Sequence, residues 1–178
     1  MNDLTLRPLE AAPALELAAL QSEAFADYAE SEQLADVLAA ESAARASCAP
    51  AEARPVFGLS AFIGETLVGW TQGYREGPGQ FYMLNSGVAI AARRKGVYAC
   101  LVRAVQAHAE SQGLATIRSR HTAANAAVII AKLRLGFQIS GFEYSEVYGP
   151  LVQLTYLVGE ARRGLYRTRA SPIRPAPR

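Results

Sequence analysis

Three cations and a glycine stand together in AIAARRKGVYACL, residues 89–101. A small apolar, strand-like run passes through Arg93-Arg94-Lys95-Gly96 and enters a helix-like run. A strand that feeds a helix through a glycine turn leaves backbone N–H groups unpaired at the helix start, where the helix dipole adds positive potential. The N–H groups of Arg94, Lys95, Gly96, Val97 and Tyr98 are therefore candidate donors to an anion. Cationic side chains oppose the positive end of a helix unless an anion offsets them, which points to a polyphosphate ligand. Solvated surface cations are the plainer alternative. The turn is neither GxxxxGK[ST] nor GxGxxG, since Gly96 is its only glycine.

The rest of the chain bounds what such a turn can serve. Its 178 residues suit one well-buried domain, and 51% hydrophobic against 19% charged residues exclude wholesale disorder. Six of the 18 Lys and Arg residues fall in 161–178, which holds no acid; twelve then face all 16 acids, leaving the body near −4. That balance argues against nucleic acid as the partner of the body. The expected organisation is one domain over 1–160 and a basic, Pro-containing, flexible tail over 161–178. Cys48 and Cys100 lack motif spacing, and His108 and His121 are the only imidazoles, so no metal site is expected. No apolar run is long enough for a bilayer, and MNDLTLRPLE has no signal-like apolar core; the expected location is cytoplasmic.

The turn needs elements around it. Leu4–Leu9 alternates and meets Pro8, a short first strand; residues 14–28 and 31–45 have helical spacing. Val56–Gly64, Thr66–Tyr74 and Gln80–Ile90 read as a meander, turning at Gly64-Glu65 and at Gly77-Pro78-Gly79. Gly87 suggests a bulge or a close approach. Gly96–Gln112 is an amphipathic helix, Thr116–Thr122 a strand, Asn125–Leu135 a short helix, and Phe137–Tyr148 and Leu151–Val158 two final strands. The order is βααβββαβαββ: an α/β chain with a mixed, mostly antiparallel central sheet and flanking helices.

Val88 to Tyr98, VAIAARRKGVY, resembles the acetyl-CoA signature [RQ]xxGx[GA] of the GNAT superfamily of N-acetyltransferases, with Arg93 first and Gly96 central. Asn125 to Phe137, NAAVIIAKLRLGF, is similar to the family's Asn-xx-Ala-xxx-Tyr-xxx-Gly-Phe segment. The element order matches as well, over residues 3–158. Tyr98 stands where Gly or Ala is usual, and Lys132 where a tyrosine is thought to protonate the leaving thiolate.

The resemblance implies acetyl transfer from acetyl-CoA to a primary amine by direct attack in a ternary complex. It implies that the pantetheine arm lies where the strand ending at Val88 splays from the one ending at His121. There it would bond backbone near Val88 and Ile90, while Arg93, Arg94, Lys95, Gly96, Val97 and Tyr98 hold the phosphates. Asn125 and Lys132, two helical turns apart, share a face, so Lys132 can point where the tyrosine would, as acid, stabiliser or phosphate partner. A solvated lysine is the plainer reading. His121 is the candidate base, its ordinary pKa suiting neutral pH. Tyr82, Asn85 and Ser86 could instead orient a water. The acceptor would enter between the first two helices and the last hairpin, against Tyr28, Tyr82, Asn85 and Tyr148. The rival expectation is a non-catalytic acyl-CoA-binding or sensor module of the same fold. The last strands and tail could also mediate a homodimer.

Overall fold

The computed structural model describes residues 3–26 and 56–170. The expected helix over 31–45 and Tyr28 lie outside them. The described elements are β1 (Leu4–Pro8), a 3-10 turn, α1 (Ala14–Phe25), β2 (Val56–Ile63), β3 (Thr66–Gly77), β4 (Gln80–Val88), a second 3-10 turn (Ile90–Ala92), α2 (Val97–Ser111), β5 (Thr116–Thr122), α3 (Ala126–Arg134), β6 (Gln138–Ser145), β7 (Gly149–Leu157) and α4 (Glu160–Ala170). The sheet has seven strands in the order β1-β2-β3-β4-β5-β7-β6, antiparallel throughout except between β4 and β5. This is the mixed, mostly antiparallel α/β architecture expected. Pro8 is tolerated because β1 is an edge strand, where a missing N–H costs no ladder bond.

Helix α2 buries Val97, Leu101, Val102, Val105 and Ala109, one stripe at helical spacing, and Gly113 ends the element in a left-handed conformation (φ 64°). That stripe meets Phe81, Met83 and Ile117 in the main core, and Ala61, Val68 and Val88 in a second cluster. On the other face, Leu20 of α1 packs with Phe62, Leu67 and a fully buried Trp70. The sheet is thus covered on both faces, with the turn before α2 at one end of β4.

Three expectations need correction. Strand β4 stops at Val88, and Ile90 belongs to a 3-10 turn. The bulge falls at Leu84, not Gly87: Gln72 opposes Asn85 and Gly73 opposes Met83, leaving Leu84 as the extra residue. Gly87 instead meets a close approach, because a Cβ there would lie 2.4 Å from the Trp70 ring. Finally, the tail expected to be flexible from residue 161 begins as a helix. Glu160 in its first turn pairs with Arg163 and Arg167, and Arg163 also donates to Tyr156 Oη (2.7 Å), which docks α4 on β7. No helix among the described residues is long and apolar enough to cross a membrane.

Candidate active site

Strands β4 and β5 pair at only three positions, Gln80–Thr116, Phe81–Ile117 and Tyr82–Arg118, and then separate. The Leu84 bulge raises the local twist on the β4 side of the gap. Met83 and Ser119 are the first residues past the last pair, and a single side chain bridges them. Lys132 Nζ, from α3, donates to Ser119 Oγ at 2.7 Å, contacts Met83 Sδ at 3.4 Å, and sits 4.6 Å from the Phe137 ring centroid.

Lys132 is fully buried, not solvated. Burial alone pushes its pKa down to about 7. His121, two residues beyond Ser119 on the same face of β5, has Nε2 3.1 Å from Ser119 Oγ. Burial, and then the Lys132 charge, push its pKa down to about 3. At neutral pH His121 is therefore uncharged and a weak base, below the value that made it the sequence candidate. Asn125, the N-cap of α3, accepts from Val128 N–H (3.3 Å) and so sets the start of the helix that carries Lys132.

The cationic turn lies at the open end of β4. Gly96 (φ 81°) is the N-cap of α2, and Arg94 also takes a left-handed backbone (φ 63°), a strained state for a residue with a Cβ. The start of α2 has no side-chain cap and no acid in its first turn. Arg93 Nε donates to Val88 O at 3.2 Å, while Ile90 N–H donates to Glu23 Oε1 of α1 at 2.7 Å. Backbone groups at both positions expected to meet the pantetheine arm thus have protein partners. The Tyr98 ring packs inward against both core clusters, so it does not cover the turn. Its hydroxyl is buried beside Ser86, and burial raises its pKa well above the usual phenol value.

The residues expected to contact the acceptor divide. Asn85 lies on the α1 side of the sheet beside Trp70, and Tyr82 lines a separate cleft. Asn85 Oδ1 accepts from Trp70 Nε1 (3.2 Å). Tyr82 lines a cleft of about 80 Å³ with Glu76, Arg118, Ser119, Arg120, Glu143 and Gln153. There Arg120 donates to Tyr82 Oη (3.0 Å) and Glu143 (2.8 Å), Gln153 donates to Glu143 (2.6 Å), and Arg118 pairs with Glu76 at 3.6 Å. The hydrogen bonds from Arg120 and then Gln153 hold Glu143 below the usual carboxylate range. Tyr148, in the turn between β6 and β7, is 45% exposed and outside both groups. Sequence reasoning missed Ser119 and this cleft. The period of two in TIRSRHT carried the signal, placing Arg118 and Arg120 on one face and Ser119 and His121 on the other.

No protein-family model matches the sequence, and no curated protein matches it. Solved structures match its fold. The ribosomal-protein-S18-alanine N-acetyltransferase from Escherichia coli is 18% identical, covering 88% of this chain and 97% of its own, with a TM-score of 0.65. An N-acetyltransferase from Staphylococcus aureus Mu50 is 17% identical, with 89% and 100% coverage and a TM-score of 0.65. A GNAT family acetyltransferase from Elizabethkingia anophelis, solved with acetyl-CoA bound, is 13% identical, with 88% and 99% coverage and a TM-score of 0.61. The chain has the fold of the GNAT acetyltransferases.

Proposed function

We propose that this chain is a cytoplasmic N-acetyltransferase that moves the acetyl group of acetyl-CoA to a primary amine by direct attack in a ternary complex. The observation that carries the reading is the gap between β4 and β5, with an uncapped, cationic helix start at one end and the buried Lys132 amine at its apex. The donor set fits the substrate: anionic phosphates suit the N–H groups and side chains of Arg93–Tyr98, and an extended arm suits the edge of β4. Arg93 would exchange Val88 O for a phosphate oxygen, freeing that carbonyl for the arm. The Ile90 N–H would stay with Glu23, and Asn125 would act only through the placement of α3.

In the transfer itself, the neutral amine bonds to the acetyl carbon and the C–S bond breaks. The electron pair leaves on sulfur, and Lys132 supplies the proton that sulfur takes up. An acid with a pKa near 7 is matched to that task at neutral pH. The proton shed by the new amide nitrogen goes to water.

A specific observation favours a second reading. Lys132 joins the two strands where their ladder ends, as a structural tie would, and His121 is too weakly basic to serve as a base. A non-catalytic acyl-CoA-binding module would keep both features. Calorimetric titration with acetyl-CoA, alongside an Arg93→Ala/Arg94→Ala control, separates fold from function. Micromolar binding weakened at least roughly 10- to 100-fold in the control is expected, since even one lost charge-assisted bond costs about 1.5–3 kcal/mol. Thiol release with a panel of amines then divides enzyme from module, and no binding by the parent overturns both.

A further inference from the structure

Ser119 sits between the two titratable groups of the gap and is itself 1% exposed. Its hydroxyl has one proton to donate and two lone pairs to accept with, whereas a charged lysine can only donate. With Lys132 charged, Ser119 must accept from Nζ. Its own proton is then left for its other near neighbour, His121 Nε2. A neutral imidazole that accepts at Nε2 carries its hydrogen on Nδ1. Three polar groups joined in series in a dry site fix one another's orientation more firmly than each would alone.

Among the described residues, nothing else around Lys132 competes for its charge. Its neighbours are Met83 from β4, Ser119 and His121 from β5, and Phe137 after α3. The adjoining part of α2 brings Val102 and Val105 into the same core. Of these, His121 is the only other titratable group, and the charge on Lys132 opposes its protonation.

We propose that Ser119 is a positioning residue that locks the pair into one state, Lys132 as the ammonium and His121 as the Nδ1–H tautomer. This rests on the acetyltransferase reading and deepens it. Lys132 is held toward the sulfur as the acid, and His121 presents a donor rather than a base to whatever enters the gap. The amine must then arrive already neutral, and its proton leaves without the help of His121. Ser119 and Lys132 are the buried polar pair of the site, and His121 is half-buried at its edge.

The test needs no knowledge of the acceptor. Imidazole nitrogen shifts and the Lys132 titration are followed by NMR in the parent, Ser119→Ala and Ser119→Thr. In the parent, His121 Nε2 is expected to show the shift of an unprotonated acceptor at pH 7. In Ser119→Ala that signal moves toward the protonated position, and the Lys132 midpoint falls by about one pH unit, because the ammonium loses its hydrogen-bond acceptor. Ser119→Thr keeps the hydroxyl and restores both. A parent with hydrogen on Nε2, or a Ser119→Ala variant with an unchanged tautomer and midpoint, overturns the lock. Acetyl-CoA titration of the same samples keeps the two ideas apart. Affinity within about twofold in Ser119→Ala is expected of a positioning residue, and a parent that shows the lock but binds no acetyl-CoA overturns only the functional reading.

Discussion

The two faces of the sheet beside the β4–β5 gap handle charge in opposite ways. On the α1 face, Arg118, Arg120, Glu76 and Glu143 pair with one another at the surface, with Tyr82 and Gln153 filling the remaining bonds. On the α2 and α3 face, Lys132 stands among Met83, Phe137 and Ser119 with no carboxylate partner among the described residues. Exposed pairs in high dielectric contribute little to stability, whereas an unpaired amine in a dry site has its proton affinity remade by burial. The ion-pair face can orient a charged ligand. The dry face can do proton chemistry at neutral pH.

That contrast can be broken at its strongest point by Lys132→Ala. Thiol release is expected to fall 10²- to 10⁴-fold, as for loss of a general acid, while acetyl-CoA affinity changes only a few-fold. Stopped-assay kinetics alongside calorimetry would show the split, and a rate within about threefold of the parent would leave Lys132 as a tie between strands.

Next in size is the pH response of stability. Lys132 has a folded pKa of about 7 against an unfolded value of 10.5, so between those values the unfolded chain binds more protons. Stability should therefore climb as pH rises from 7 toward 10.5. His121, about 3 folded against 6.5 unfolded, gives the same sign lower down: stability is lost as pH falls from 6.5 toward 3. Lys132→Met should flatten the upper climb and add up to about 5 kcal/mol at pH 6, read by denaturant unfolding across pH. A similar climb in that variant would mean the buried amine is not its source.

Gly87→Ala tests the α1 face through packing instead of charge. Its new methyl would meet the Trp70 ring at 2.4 Å and Ala24 Cβ at 2.9 Å, and the indole is fully buried. A loss of roughly 1–3 kcal/mol is expected, the usual cost of overpacking. The smallest effect belongs to Glu143→Gln, which leaves a partly exposed network one charge short. Its unfolding free energy should move by less than about 1 kcal/mol. A larger loss would show the ion-pair face to be as dry as the other.

Most of the scaffold was legible because its signals are local. Gly64-Glu65 marked a hairpin, the Val97–Ala109 stripe marked α2, and Gly96 before that stripe marked the turn that starts the helix. Lys132 was legible as a residue of a short helix, and Asn125 stands as the N-cap of that helix instead of its first residue. What escaped depends on neighbours distant in sequence. The bulge at Leu84 follows from how β3 and β4 register, not from the glycine three residues on. His121 looked like a base from its intrinsic pKa, but its proton affinity is set by burial and by a lysine eleven residues away. Ser119 drew no notice because a serine in a strand becomes informative only when its two partners are known. The helix at Glu160–Ala170 hid behind prolines that begin two residues after it ends.

The central claim is that the sulfur of acetyl-CoA comes to rest beside Lys132 at the apex of the strand gap. Titrating the Lys132 ammonium by NMR with free CoA and with desulfo-CoA bound tests it most directly. The account predicts that CoA moves the Lys132 midpoint away from the value it has with desulfo-CoA, because a thiol beside the amine shares its proton and titrates with it as a coupled pair. Equal midpoints with both ligands bound would place the sulfur elsewhere and contradict it.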